Sequence, residues 1–465
     1  MSLQLFTKWY AKYVLFALCC VILLVVPLLH GPWVGNEALF YFRLAEDPSW
    51  YDPLSSGGQF AAYQWGTALV LSAAPEVLIQ ILPFLLGILS FLLFGKILRS
   101  FHEDPIFVHL SMLFLLLSPA FIYTFSFTNS LFIAFFLSLV AFYFFIQKKR
   151  KWLSVPILML IPLFNIILAC TSIFLFFFYS FFWKKERRKL FFIGTLCTFL
   201  VSAFYYGYIL YHTGMPQRLQ FDLGGQFLFL QKIFFDFGSP YGLGIFLSLL
   251  AIIGIAVSWE KKYSNFFLFF SVFFLLIFSF FRLESLLFLS LFVIFLAAKG
   301  FIYLLQVHWN SSQYRNFVLL ILLSGLVFSG ISQIDALLES SPNDADLEGL
   351  SFLAEQKQGV VFTDYTRGVW VSAAGHSTIL DENYLFVSDA EERFEDSKTL
   401  YYSRDIKVTR ELFEKYDISY VWIDSAMKEE LWKYDTEGLL FILEYTKDFK
   451  KIYDKEGVEI WSIDL

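Results

Sequence analysis

The chain has 465 residues, of which 58% are hydrophobic and 16% charged, and 60 of them are Phe; its mean hydropathy is +0.62. So few polar residues cannot cover a water-facing surface, which excludes a soluble globular protein and makes lipid the solvent. The net charge of −6 hides a split near Asp335: residues 1–334 carry an excess of nine basic charges and residues 335–465 an excess of fifteen acidic ones, so the acidic part is no surface for nucleic acid.

In chain order, apolar runs of spanning length, about 20 residues, fall at 13–29, 77–98, 106–125, 130–147, 190–212, 241–258, 266–281, 285–307 and 317–334. The stretch 153–183 is too long for one span. It holds Pro156, Pro162 and Asn165, and we read it as two short helices meeting near Asn165. The expected count is therefore eleven. Run 13–29 follows Lys8 and Lys12, but no small-residue cleavage pattern comes after it, so it is read as a retained span.

Basic residues test this count. Lys8 and Lys12, Lys96 and Arg99, the clusters at 148–151 and 184–189, Lys261 and Lys262, and Arg315 all fall on one side if there are eleven spans. A single span across 153–183 would put the two strongest clusters on opposite faces. The positive-inside rule then predicts a multi-pass protein of the cell membrane with a cytoplasmic N-terminus. It makes 30–76 and 213–240 long exterior loops of a membrane domain over 1–334, and places 335–465 outside. In the second loop, 227–237 reads as an interfacial amphipathic helix, with Arg218, Asp222, Lys232 and Asp236 around it.

The tail reads as a small soluble α/β domain. Helices are expected at 346–356 and from Ser403 or Asp405 through Lys415. Strands are expected at 359–363, 377–380 and 418–423, and a hairpin over 450–463 turns at Lys455-Glu456-Gly457. All four Cys lie outside it, in apolar runs, so no disulfide stabilises it. No phosphate loop, G-x-S-x-G or His/Cys metal cluster occurs in it.

The first exterior loop is richest in chemistry. Glu37 stands a few residues past the first span, where partial desolvation lifts a carboxylate toward a useful base. Arg43 follows six residues on, then Asp52 and Gly57-Gly58. A solvated Glu–Arg helix pair at the interface explains Glu37 and Arg43 equally well. Arg282 and Glu284 lie between the ninth and tenth spans; a guanidinium there suits a phosphate, although snorkelling at a helix end accounts for it too. The ionisable residues are read as clustering toward the span ends, which argues against an ion-coupled transporter.

Glu37-Ala-Leu-Phe-Tyr-Phe-Arg43-Leu-Ala followed by Trp50-Tyr51-Asp52-Pro53-Leu54 resembles the first exterior loop of C-type membrane glycosyltransferases, most of all the oligosaccharyltransferase catalytic subunit. Residues 125–151 resemble that family's F-D-N-E span junction. Phe362-Thr363-Asp364-Tyr365, with Gly368-Val369-Trp370 and Ile379-Leu380-Asp381, resembles the region of its W-W-D-Y-G motif, and Phe281-Arg282 fits the wider superfamily. Thr128 and Ser130 stand where the family has carboxylates that help bind a divalent metal. Glu37 replaces the usual Asp, and Phe362 and Thr363 replace two Trp that help recognise the acceptor sequon. Hydroxyls hold hard cations poorly, so we expect no metal cofactor.

The resemblance implies a transferase that moves a sugar from a polyprenyl-phosphate donor to an exterior glycan, lipid or protein acceptor. Glu37 would be the general base, displacement would invert the anomeric centre, and Arg43, Asp52, Arg282, Asp364 and Tyr365 would bind substrate or donor. A divergent oligosaccharyltransferase acting on protein is the second expectation. A non-catalytic membrane protein with an exterior binding module is the third.

Overall fold

A computed structural model describes residues 11–30, 34–60, 65–102, 104–214, 242–263, 265–339, 341–384, 387–434 and 436–464. They divide into two compact units. The first draws on Met1–Val34, Ala74–Tyr205 and Asp222–Glu339; the second on Gly35–Ala73, Tyr206–Phe221 and Ser340–Leu465. The residues expected as the first exterior loop thus fold with the tail. Nearly all of the second expected loop, with Arg218, Asp222, Lys232 and Asp236, lies outside the described residues.

The first unit is helical and apolar. Among the described residues, five helices are long and apolar enough to cross a membrane. A sixth span results if Pro105–Leu116 and Pro119–Ser126, bent by 62°, are taken as one. Five shorter apolar helices accompany them: Phe132–Ile146, Lys151–Leu163, Ile166–Phe182, Ile245–Trp259 and Phe266–Phe281. The expected break at Asn165 is present. Asn165 accepts from Leu168 N–H at 3.0 Å and caps the helix from Ile166, satisfying a donor that the helix start would leave unpaired.

Small residues set the tightest packing in this unit. A Cβ at Gly254 would overlap the Leu296 carbonyl, and one at Gly300 the Leu250 carbonyl. Helices Ile245–Trp259 and Leu286–Gln306 therefore approach backbone to backbone, as membrane helices do when hydrophobicity cannot drive them together. The basic loops meet at one end: Arg187 Nη2 donates to the Gln147 carbonyl at 2.8 Å, and the Phe101 ring lies 6.0 Å from that of Tyr179.

The second unit is an α/β layer. Strands β1 (Tyr51–Asp52) and β2 (Gln59–Phe60) form a small hairpin. Strands β3 (Val360–Phe362), β4 (Ser377–Thr378), β5 (Ile418–Ile423), β6 (Phe449–Lys455) and β7 (Val458–Ile463) form a mixed sheet of order β4-β3-β5-β7-β6. The β4-β3-β5 part is parallel and β5-β7-β6 antiparallel. Left-handed Glu456 and Gly457, φ 49° and 89°, make the expected tight turn between β6 and β7. Asn343 and Asp346 form a reciprocal capping box at helix Asp344–Ala354, and Asp405 caps Ile406–Lys415. Among the described residues of the tail, four helices went unread in the sequence: Gly368–Ala373, Ala390–Tyr402, Ser425–Leu431 and Gly438–Tyr445.

The first-loop residues pack on this sheet. Ser377 Oγ donates to the Pro53 carbonyl at 3.1 Å, and Thr378 N–H to the Leu54 carbonyl at 3.2 Å. Trp50 stacks on Trp65 with ring centres 4.3 Å apart, and Phe60 on His212 at 5.5 Å.

Candidate functional site

Helix Gly35–Glu46 carries Asn36, Glu37 and Arg43. Glu37 lies in its first turn, where a carboxylate is favoured by the helix dipole. It is half-buried. Its neighbour Asn36 is the joint of the site. Asn36 Nδ2 donates to the Thr366 carbonyl at 2.8 Å and to Glu382 Oε2 at 2.9 Å, while its Oδ1 accepts from Trp370 Nε1 at 2.6 Å. One amide thus ties the start of this helix to the segment after β3, to helix Gly368–Ala373 and to the turn after β4.

That joint brings two carboxylates into electrostatic contact. The Glu382 carboxyl is raised from 4.5 to about 7. Loss of hydration among surrounding protein is the main cause, and repulsion by Glu37 and Asp381 adds to it; the Asn36 hydrogen bond and Arg367 oppose it. Glu382 remains open to water, which softens the desolvation. Such a pair resists holding two negative charges, so protonation of Glu382 near neutrality relieves its repulsion with Glu37. Because the folded pKa lies above the unfolded one, the associated stability is complete below pH 4.5 and is lost as pH rises through about 7. The thermal midpoint of the wild type is therefore expected to fall between about pH 5 and 8, and Glu382→Gln to flatten that slope. Equal slopes in the two proteins would contradict the coupling.

Beneath this pair lies a buried polar layer. Asp381 is fully buried. Ser55 Oγ donates to its Oδ2 at 2.5 Å, Asn383 N–H donates to its Oδ1 at 2.8 Å, and its own N–H donates to Ser56 Oγ at 3.1 Å. Burial pushes the Asp381 carboxyl up, and the Ser55 and Asn383 hydrogen bonds and Arg43 draw it back. The loop that presents these serines is tightly wound: Ser56, Gly57 and Gly58 have φ of 48°, 72° and 106°. A Cβ at Gly57 would sit 2.8 Å from Arg393 Nη1, the nitrogen that donates to the Ser56 carbonyl at 2.7 Å.

The sequence-predicted residues divide accordingly. Arg43 and Asp52 form a two-pronged ion pair, Nη1–Oδ1 and Nη2–Oδ2 both 2.5 Å, with side chains 12% and 1% exposed. Asp52 also accepts from Leu54 and Ser55 N–H at 3.1 and 3.3 Å. Asp364 accepts from Thr366 N–H and Oγ1 at 3.0 and 2.6 Å, shaping the turn whose carbonyl Asn36 holds. Tyr365 packs against Leu380, Val387 and Ala390 and feels the charge of Glu382. Arg282 belongs to the first unit, where it is exposed at the start of the Leu283–Ser285 turn. Asn36, Trp370, Asp381 and Glu382 were not read from sequence as site residues, although Asp381-Glu382 follows β4 as a visible acidic pair.

The positions that set this chain apart from the family pattern are also resolved. Asn129 spends its whole side chain on the chain turn. Its Nδ2 donates to the carbonyls of Tyr123, Thr124 and Phe127, and its Oδ1 accepts from Leu131 and Phe132 N–H at 2.9 and 3.1 Å. With Thr128 buried beside it, this segment offers a hard cation hydroxyls and no carboxylate. Among the described residues, no group of three His, Cys, Asp or Glu could hold a metal ion. Phe362, the last residue of β3, and Thr363 just past it are buried, 1% and 6% exposed, with Tyr401 Oη donating to the Thr363 carbonyl at 3.0 Å.

No protein-family model matches the chain, and no curated protein matches it significantly. Solved structures do. The Archaeoglobus fulgidus oligosaccharyltransferase in its apo form superposes with a TM-score of 0.62 at 13% identity, over 91% of this chain and 70% of that one. The oligosaccharyltransferase AglB from Archaeoglobus fulgidus in complex with an inhibitory peptide and a dolichol-phosphate gives 0.60 at 13% identity, over 98% and 75%. ArnT from Cupriavidus metallidurans bound to undecaprenyl phosphate gives 0.54 at 9% identity, over 98% of each chain. At these identities the likeness carries the fold alone, and the fold is the one shared by the archaeal oligosaccharyltransferase and ArnT.

Proposed function

We propose that this chain is a membrane glycosyltransferase that moves a sugar from a polyprenyl-phosphate-linked donor to an acceptor outside the membrane, with Glu37 as general base. The observation that carries the reading is Glu382, held by Asn36 and feeling the charge of Glu37, on a fold shared with membrane glycosyltransferases. Glu37 takes the proton of the acceptor hydroxyl as its oxygen attacks the anomeric carbon. The bond from that carbon to the phosphate oxygen breaks, polyprenyl phosphate leaves with the electron pair, and the anomeric centre inverts. Glu382, its carboxyl raised to about 7, adds no competing negative charge beside the base when it is protonated. The neighbours' dolichol-phosphate and undecaprenyl phosphate support a lipid-phosphate donor.

The topology belongs to the same proposal. Each of the eleven expected segments falls on an apolar helix or a broken pair. The joined basic loops support eleven spans, a cytoplasmic N-terminus and an exterior second unit.

Transfer to protein is the second reading, favoured by the neighbour tethered to an acceptor peptide containing the NVT sequon. Burial of Phe362 and Thr363 argues against it, because neither can meet a peptide. The test is transfer by purified protein from polyprenyl-phosphate sugars, with and without chelator. The proposal expects an unchanged rate in chelator and no glycosylated sequon peptide. Activity lost in chelator, restored by magnesium or manganese and directed to the peptide, would replace it with the oligosaccharyltransferase reading. No transfer to any acceptor would favour a non-catalytic binding module.

A further inference from the structure

An apolar cavity of about 160 Å³ lies in the first unit, among helices Glu76–Phe101, Phe132–Ile146, Ile166–Phe178, Phe266–Phe281 and Leu286–Gln306. Phe rings form much of its wall. The few polar groups lining it are already occupied: Ser172 Oγ donates to Ser138 Oγ at 2.9 Å, and Asn265 Nδ2 to the Ser258 carbonyl at 3.0 Å. An apolar cavity of this size stays dry and accepts a hydrocarbon group of roughly benzene size.

Three lining residues, Phe101, Asn265 and Phe295, each stand beside a basic residue. His102 follows Phe101. Asn265 N–H donates to the Lys261 carbonyl at 2.9 Å. Lys299 Nζ lies 4.8 Å from the Phe295 ring centre. Lys299 is close enough to both Lys261 and His102 for their charges to interact. Asp104 faces His102, but its Oδ1 accepts from Ile106 N–H at 3.0 Å and caps a helix. His102 Nδ1 is buried with no hydrogen-bond partner among the described residues. Like charges gathered at one end of a dry cavity, within a helix bundle, repel unless an anion joins them.

We infer that this end of the first unit is a binding site for an anionic membrane phospholipid, with a segment of one acyl chain in the Phe-lined cavity and the headgroup phosphate on Lys261, Lys299 and His102. The site lies at the end carrying the basic loops, where the positive-inside rule puts the cytoplasmic leaflet and its anionic lipids. The occupant is a lipid of that leaflet, distinct in place and role from a sugar donor.

The test titrates delipidated full-length protein in detergent with dioleoyl phosphatidylglycerol, dioleoyl phosphatidylcholine or a polyprenyl phosphate, read by native mass spectrometry. Phosphatidylglycerol is expected to bind and phosphatidylcholine to bind at least tenfold more weakly. Lys299→Gln should weaken phosphatidylglycerol about five- to tenfold. Ser138→Leu, which fills the cavity and keeps every charge, should weaken it as well. Equal binding of the two phospholipids, or unchanged binding in both variants, overturns the proposal. So does polyprenyl phosphate displacing phosphatidylglycerol at equal concentration, which would assign the cavity to the donor.

Discussion

Glu37→Gln is expected to lower the rate of sugar transfer by about 10²–10⁴ while leaving donor binding intact. The amide keeps the size and hydrogen bonding of the carboxylate but cannot accept a proton at neutral pH. The loss should therefore appear in kcat at saturating donor and acceptor, with KM for the donor little changed. Two substitutions sort the alternatives. Asp47→Asn removes an exposed charge from the end of the same helix and should cost little. Glu382→Gln keeps Glu37 but removes its electrostatic partner, so it should shift the pH profile of kcat more than its height. Asp52→Asn is unsuitable as the control, because Asp52 is buried against Arg43. A Glu37→Gln protein that transfers sugar within a few-fold of wild type would move the base elsewhere, and Glu382 would be the first group to examine.

The second large effect is on stability. Arg43→Ala should destabilise the second unit by about 3–5 kcal/mol, because it leaves the Asp52 charge buried without its partner. For a unit of this size the thermal midpoint should drop on the order of 10 °C. Arg43→Lys should recover part of this, since an ammonium cannot reproduce the two-pronged contact. The double variant Arg43→Ala/Asp52→Ala should also be more stable than Arg43→Ala alone, because it leaves no uncompensated charge. Thermal unfolding of the full chain in detergent measures all three. A midpoint for Arg43→Ala within about 2 °C of wild type would mean that the pair contributes little, and would return Arg43 to the residues free to meet a phosphate.

Much of this architecture could be read from the residues. The apolar runs were legible because hydrophobicity is nearly continuous in them, and Asn165 marked its break because an amide just past a stretch with Pro156 and Pro162 caps well. The strands β5 and β7 were visible through their β-branched and aromatic residues. Helix Ala390–Tyr402 was missed because AEERFEDSKTLYY buries only Ala390, Ser397, Leu400 and Tyr401, too sparse an apolar stripe to stand out. The site was legible in one half only. Glu37 and Arg43 could be picked out, but the role of Arg43 depends on where Asp52 folds. The partnership of Asn36 with Glu382 joins residues 346 positions apart, and no local pattern records such a contact. The grouping of Gly35–Ala73 with the tail was hidden for the same reason, since hydropathy marks where a chain leaves the membrane and says nothing of what it then meets.

The central claim is that Glu37 serves a sugar transfer from a lipid phosphate. Its most direct test is consumption of a polyprenyl-phosphate sugar by purified protein in liposomes, wild type beside Glu37→Gln, with the anomeric configuration of the product read by NMR. The account predicts that wild type releases polyprenyl phosphate in step with a glycosylated acceptor of inverted configuration, and that Glu37→Gln releases about a hundredth or less. A retained configuration, or equal release by the two folded proteins, would contradict it.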